Sequence, residues 1–195
     1  MEDIYGGKRD VMTAVMNRII RYIEANGKRH EQETGNKLYE HLSCRIKSEE
    51  SMREKLARKG LEVTAENALH AVHDAIGVRV VCLFIDDVYE TVRLLKDMPG
   101  CTVVQEKDYI RDAKPNGYRS YHMILETLEN GEKYSAEIQL RTIAMDTWAA
   151  LEHELKYKKS LENTELIVQE LRRCANELAA CDVSMQTIRR IIKEA

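Results

Sequence analysis

The segment Glu137-Ile138-Gln139-Leu140-Arg141-Thr142 leaves this chain little choice of local structure. Polar and apolar residues alternate strictly, and a strand, whose side chains point to opposite faces in turn, is what sorts them. Ile138 and Leu140 then enter a core, while Glu137, Gln139 and Arg141 share the other face. Upstream, residues 116–122 read Asn-Gly-Tyr-Arg-Ser-Tyr-His, and period two places Tyr118, Ser120 and His122 on one face of a second strand. Between them, Asn130-Gly131 is a hairpin signal, because both residues tolerate positive φ. The pair of strands displays an acid, an amide and a guanidinium beside an aromatic ring and an imidazole. Such a set suits the floor of a site for a charged, aromatic ligand.

The rest of the chain supplies a sheet and its cover. Val11, Val15, Ile19, Ile20 and Ile23 have helical spacing over residues 10–30. A strand follows at 39–47. Ser51 is expected to open a helix, with Glu54 completing a capping box and Gly60 closing it. A short helix at 65–72 leads to a Val- and Ile-rich central strand at 76–85. Residues 86–98 read as a helix stopped by Pro99-Gly100, 101–107 as a strand, and 108–116 as a loop. Residues 143–158 read as a helix with Trp148, Leu151 and Leu155 on one side. This order predicts an α+β fold, a mixed sheet of about five strands flanked by helices.

The end of the chain carries its own pattern. Ile167, Leu171, Cys174, Leu178, Cys181, Met185, Ile188 and Ile192 alternate by four and three, a heptad seam. Such a helix either packs on its own domain or self-associates. The expected organisation is a main domain over 1–160 and a C-terminal helix over 161–195 that drives oligomerisation, with Leu178 at the seam's centre.

Net charge is −3, which disfavours capture of nucleic acid on a basic surface. The sequence has no apolar run of membrane-spanning length and no signal peptide, so a cytoplasmic protein with no membrane partner is expected. Cys44, Cys82, Cys101, Cys174 and Cys181 are scattered without a C-x-x-C pair, and reduced, mostly buried thiols are expected.

Three clusters carry chemistry. Arg45 and Lys47 share a strand face, and Lys55, Arg58 and Lys59 share a helix face. With Ser51 near that helix's amino end, where the dipole favours anions, they suit a polyphosphate, although the interleaved Glu49, Glu50 and Glu54 also fit a solvated charged face. Asp74 and Arg79 flank the start of the central strand, and Asp74 paired with Glu137 could hold Mg²⁺, which takes one or two carboxylates plus phosphate oxygens and water. Lys107, Lys114, Asn116, Tyr118, His122, Glu137, Gln139 and Arg141 form the third, in which Tyr118 offers a flat face to a base.

These residues, in order, carry a family resemblance. Arg45-Ile-Lys47-Ser48, Ser51, Lys55-Leu and Arg58-Lys59-Gly60, then Asp74, Gly77-Val-Arg79, Lys107-Asp-Tyr-Ile, Lys114-Pro-Asn-Gly-Tyr118-Arg-Ser-Tyr-His122, Glu137-Ile-Gln139-Leu-Arg141-Thr and Trp148-Ala-Ala-Leu-Glu152-His153 resemble the synthetase domain of the RelA/SpoT family. The resemblance runs over about 39–158, and the length resembles a small alarmone synthetase, with no hydrolase domain expected before it and no regulatory domain after. It implies a nucleotidyltransferase-like fold, a homotetramer, and transfer of the β,γ-diphosphate of ATP to the ribose 3′-hydroxyl of GDP or GTP, giving (p)ppGpp and AMP. By similarity, Arg45 and Arg79 would sandwich adenine, while Lys47, Ser51, Lys55 and Arg58 would hold the ATP phosphates. Asp74 and Glu137 would bind Mg²⁺, and Glu137 would draw the proton from the attacking hydroxyl. Tyr118 would stack on guanine, Lys114 and His122 would touch the acceptor phosphates, and Lys107, Asn116, Gln139 and Arg141 would complete the acceptor site. Two other activities share some of these features. A tRNA-modifying relative would call for an added basic patch, and a silent nucleotide-binding regulator would have lost Glu137, Asp74 or the basic helix. At His41, Ser43 and Cys44 the sequence departs from product-activated members, which carry an aromatic residue and Thr-Gly there.

Overall fold

The hairpin is the centre of a five-stranded sheet in the order β1-β2-β5-β4-β3. The structure is a computed structural model that describes residues 3–157 and 164–194. Its elements run α1 (Arg9–Thr34), β1 (Tyr39–Ile46), α2 (Glu49–Arg58), a π-helical turn (Asn67–Ala71), β2 (Ile76–Cys82), α3 (Ile85–Lys96), β3 (Cys101–Asp108), β4 (Tyr121–Glu129), β5 (Glu132–Thr142), α4 (Ile143–Tyr157) and α5 (Thr164–Glu194). Strands β2 and β5 are parallel, and the other neighbours are antiparallel. The expected α+β mixed sheet is what forms.

Alternation sorts β5 as expected. Tyr134, Ala136, Ile138 and Leu140 are buried, as are Val78 and Val80 of β2. Met12, Val15, Ile19 and Ile23 of α1 and Val88, Val92 and Leu95 of α3 join them in one core. At the turn, Asn130 and Gly131 have φ of 52° and 79°, the paired positive values of a tight I′-like hairpin. The opposite sheet face stays open, and register lines up Arg45 with Gly77, Gly77 with Glu137, and His122 with both Gln139 and Lys107.

Three local expectations are corrected. Helix α2 begins at Glu49, and Ser48 rather than Ser51 caps it, its Oγ accepting from Ser51 N at 3.3 Å. Ser51 therefore stands inside the first turn with its own N–H already taken. Strand β4 begins at Tyr121, so Tyr118 and Ser120 precede it. Ser120 is fully buried, and its Oγ donates to the Leu140 carbonyl at 3.1 Å, away from Tyr118 and His122. The chain turns here because Asn116 Oδ1 accepts from Tyr118 N at 3.2 Å and Gly117 adopts φ +93°. The thiols are not mostly buried. Cys44, on the edge strand β1, and Cys174 and Cys181, on the outer face of α5, are exposed.

Helix α5 seals the open end of this turn. Trp148 Nε1 donates to the Leu171 carbonyl at 2.8 Å, and Leu171 and Ala175 pack on its ring. Trp148 is buried, but Leu151 and Leu155, expected on the same side of the helix, are 59% and 56% exposed. Arg189 pairs with the buried Asp87 at 2.6 Å, and Thr142 Oγ1 meets Asp182 Oδ2 at 2.5 Å. Leu178 also packs against the Trp148 cluster. Cys181, Met185, Ile188 and Ile192 of the seam remain exposed. The expected boundary at 160/161 and the end of the preceding helix at 158 lie outside the described residues.

Gly117 is where the turn and α5 touch. A Cβ there would stand 2.5 Å from Ala175 Cβ and 3.1 Å from Arg172 Cα, besides straining the positive φ. Overpacking of this kind costs about 1–3 kcal/mol. Gly117→Ala is expected to lower the melting temperature by roughly 2–10 °C, read by circular dichroism. An unchanged melt would mean that α5 does not rest on this turn.

Candidate active site

The open sheet face holds two adjoining cavities. The first, of about 220 Å³, is lined by Ser43, Cys44 and Arg45 of β1, Asp74, Gly77 and Arg79 around β2, and Glu137 and Gln139 of β5. The second, of about 210 Å³, is lined by Gln105 and Lys107 of β3, Tyr109 and Lys114 of the following loop, His122 and Ile124 of β4, and again Glu137. Glu137 is thus the wall common to both. Gly77 keeps the floor of the first cavity low, since a Cβ there would approach only Arg45, at 3.9 Å.

Asp74 anchors the cationic side. Its Oδ2 takes Lys47 at 3.0 Å and Lys55 at 2.5 Å, which draws the end of β1 and the middle of α2 onto one carboxylate. Burial pushes the Asp74 carboxyl up, but the hydrogen bonds and charges of Lys55 and Lys47 outweigh it and hold it below the usual range. Its Oδ1 is buried with no partner. An orphaned carboxylate oxygen beside a cavity that also holds Glu137 fits a hard divalent cation, which favours few carboxylates and completes its shell with phosphate oxygens and water. Among the described residues, no three His, Cys, Asp or Glu side chains gather as a ready-made metal cage, so the protein's share would be these two acids.

Glu137 closes a ring of hydrogen bonds. His122 Nδ1 lies 3.2 Å from Oε1, and Gln139 Nε2 donates to Oε2 at 3.1 Å. Tyr118 Oη is 2.9 Å from His122 Nε2, and Arg141 Nη2 donates to Tyr118 Oη at 2.7 Å and to Gln139 Oε1 at 3.3 Å. Arg141 can only donate, so Tyr118 Oη and Gln139 Oε1 accept from it. Tyr118 Oη accepts from Arg141 and keeps a proton to direct at His122 Nε2, and the matching His122 tautomer presents Nδ1–H to Glu137. The His122 hydrogen bond holds the Glu137 carboxyl below the usual range, against burial and the nearby charge of Asp74. Both carboxylates are therefore ionised at neutral pH, as a metal ligand or proton acceptor must be.

The fold gathers most of the expected residues and leaves a few aside. Arg45, Asp74, Arg79, Glu137 and Gln139 line the first cavity, with Lys47 and Lys55 behind Asp74. Lys107, Lys114 and His122 line the second, and Lys114 Nζ stands 4.6 Å above the Tyr109 ring and 5.0 Å above the Tyr118 ring. Ser51 and Arg58 are exposed on α2 and line neither cavity. Asn116 shapes the turn and donates to Glu152 Oε1 at 3.1 Å. Two participants carried only weak sequence signals. Tyr109 packs edge-on against both Tyr118 and His122. Asp146, five residues beyond Arg141, pairs with Arg141 at 2.9 Å and with Arg79 at 3.3 Å.

Two acids facing converging lysines, at the junction of a cationic cavity and an aromatic one, define an α+β enzyme of phosphoryl-group chemistry. The chain belongs to the RelA/SpoT family, whose sequence profile, described as the region found in RelA / SpoT proteins, matches residues 44–162. It is 43% identical over 160 residues to GTP pyrophosphokinase YwaC of Bacillus subtilis, spanning 80% of this chain and 76% of that one. The fold is similar to Bacillus subtilis small alarmone synthetase 1 bound to its product pppGpp, with a TM-score of 0.83 at 29% identity over 93% of this chain and 94% of that one. It is also similar to small alarmone synthetase 2 of the same organism, with a TM-score of 0.76 at 38% identity over 93% and 97%. Among the described residues no helix is long and apolar enough to cross a membrane.

Proposed function

We propose that this protein transfers the β,γ-diphosphate of ATP to the ribose 3′-hydroxyl of GDP or GTP, making (p)ppGpp and AMP. The observation that carries this reading is that Glu137 alone walls both cavities, so one carboxylate faces a donor and an acceptor at once. ATP takes the first cavity. Arg45 and Arg79 hold the adenine, and Lys47 and Lys55 exchange part of their bond to Asp74 for the phosphates. The acceptor takes the second. Lys107, Lys114 and His122 meet its phosphates, and Tyr118, which stands beside the cavity bonded to His122 and Arg141, stacks on guanine. Asn116 holds the turn that presents Tyr118, and Ser51 and Arg58 reach the polyphosphate only from the exposed face of α2.

Asp74 and Glu137 are suited to share a divalent ion, for which Mg²⁺ is the chemical fit. When bound, it would neutralise phosphate charge. The residues do the rest. The 3′-oxygen forms a bond to the β-phosphorus, the bond from that phosphorus to the α,β-bridging oxygen breaks, and AMP leaves. The hydroxyl proton passes to Glu137, which His122 and Gln139 hold in place. The expected assay result is AMP and a 3′-diphosphorylated guanine nucleotide from labelled ATP with GDP or GTP. Transfer to tRNA instead, or AMP formation with no acceptor product, would overturn the assignment.

The stripe of Cys181, Met185, Ile188 and Ile192 on α5 is proposed as a contact between copies of the chain, with a tetramer as the expected assembly and 161–195 as the oligomerising part. Leu178 is unsuited to test it because it packs internally. Ile188, 49% exposed, is suited. Ile188→Asp is expected to reduce the mass in light scattering with the melting temperature little changed. An unchanged mass would place the contact elsewhere.

A further inference from the structure

Arg79 and Arg141 stand on the adjacent parallel strands β2 and β5, and both point a guanidinium at one atom, Asp146 Oδ1. Two cations this close repel one another, and an acid between them converts repulsion into attraction. Asp146 stands in the first turn of α4, where the helix dipole favours a carboxylate. Among the described residues it is the ion-pair partner of Arg79, whose Nε is buried without a hydrogen bond. The two arginines lead to different places. Arg79 opens on the first cavity with its side chain 40% exposed, while the 6% exposed Arg141 aims Nη2 at Tyr118 beside the second.

We infer that Asp146 is a positioning residue that couples the two subsites, so that ordering of Arg79 by the donor also orders Arg141 and Tyr118 for the acceptor. This rests on the reading that the first cavity takes ATP and the second the guanine nucleotide. A donor base packed on Arg79 fixes that guanidinium. Through Oδ1 it fixes Asp146, and Asp146 fixes the Arg141 fork that holds Tyr118 and Gln139. Coupling through a shared group is reciprocal, so the acceptor tightens the donor by the same factor.

Calorimetry in Mg²⁺ buffer tests this with a non-hydrolysable ATP analogue and GDP, each titrated alone and with the other saturating. The wild-type protein is expected to bind each nucleotide at least about 5-fold more tightly when the other is present. Asp146→Asn is expected to bring that ratio to near one, and Asp146→Glu, which keeps the charge, to preserve most of it. A ratio of one in the wild type, an unchanged ratio in Asp146→Asn, or an equal loss in Asp146→Glu would overturn the inference. A residue that merely supported α4 would lower stability without moving this ratio. If Asp146→Asn lost its melting transition, Asp146→Ser would serve as the uncharged variant. Wild-type turnover measured alongside keeps the two questions apart, because coupled binding without AMP release would sink the pyrophosphokinase reading and leave the coupling standing.

Discussion

Glu137→Gln is expected to lower the rate of AMP formation by about 10³-fold or more, with the fold and both nucleotide affinities largely kept. Loss of a general base costs typically ~10²–10⁴-fold, and loss of a metal-facing charge adds to that. The hydrogen-bond ring makes the change worse than an isosteric swap suggests. Both Glu137 oxygens accept, one from His122 Nδ1 and one from Gln139 Nε2. A glutamine must turn its NH₂ towards one of those donors, so a donor faces a donor in a half-buried place. The pH profile offers a second check. Because the folded-state carboxyl lies below its ordinary range, the acid limb of kcat/KM is expected below about pH 4.3, the value of an unperturbed glutamate. Near-normal turnover in Glu137→Gln would remove this residue from the mechanism.

Asp74→Asn is expected to cut turnover comparably and to change how stability varies with pH. It leaves Lys47 and Lys55, with side chains only 16% and 21% exposed, facing each other without a neutralising charge. It also removes the carboxylate whose orphaned oxygen faces the cavity. The sign of the pH effect follows from the lowered folded-state value. A depressed carboxyl contributes stability above its unfolded value, about 3.9, and that contribution drains away as pH falls through the folded value. Wild-type protein in chelator is therefore expected to lose stability more steeply than Asp74→Asn below about pH 4, in urea melts at stepped pH. Parallel curves would show that the Lys47 and Lys55 contacts to Asp74 add nothing in solution.

What was legible in the sequence was periodic or carried by ordered motifs. Period two in residues 137–142 put Ile138 and Leu140 in the core and Glu137 and Gln139 in the wall of the first cavity, as observed, whereas Arg141 is buried against Asp146 and Tyr118. The Asn130-Gly131 turn was legible because few residues accept the backbone it needs. What was misread depended on contacts made at a distance. Ser120 satisfied the alternation but lies before the strand and is buried under Leu140. The seam of α5 was real as spacing, yet Leu178 faces inward and Met185 outward, because Trp148 and the Asp87–Arg189 pair set the helix's rotation. Asp146 escaped notice because an acid in a helix's first turn is usually a dipole partner, and nothing local announces two arginines above it.

The sequence by itself determined the α+β fold class, the alternation of Ile138 and Leu140 against Glu137 and Gln139 in β5, and the family, and it picked out Asp74 and Glu137 as candidates. Local stereochemistry and alternation write these into short stretches of chain. Only the tertiary structure decided that Glu137 divides two cavities, that Lys47 and Lys55 converge on one oxygen of Asp74, and that Asp146 ties Arg79 to Arg141. The physical reason is that the meeting of β1 and α2 at Asp74, the parallel pairing of β2 with β5 and the placement of α4 bring together groups far apart in the chain, and the electrostatics of such meetings depend on distance and burial that no local pattern encodes.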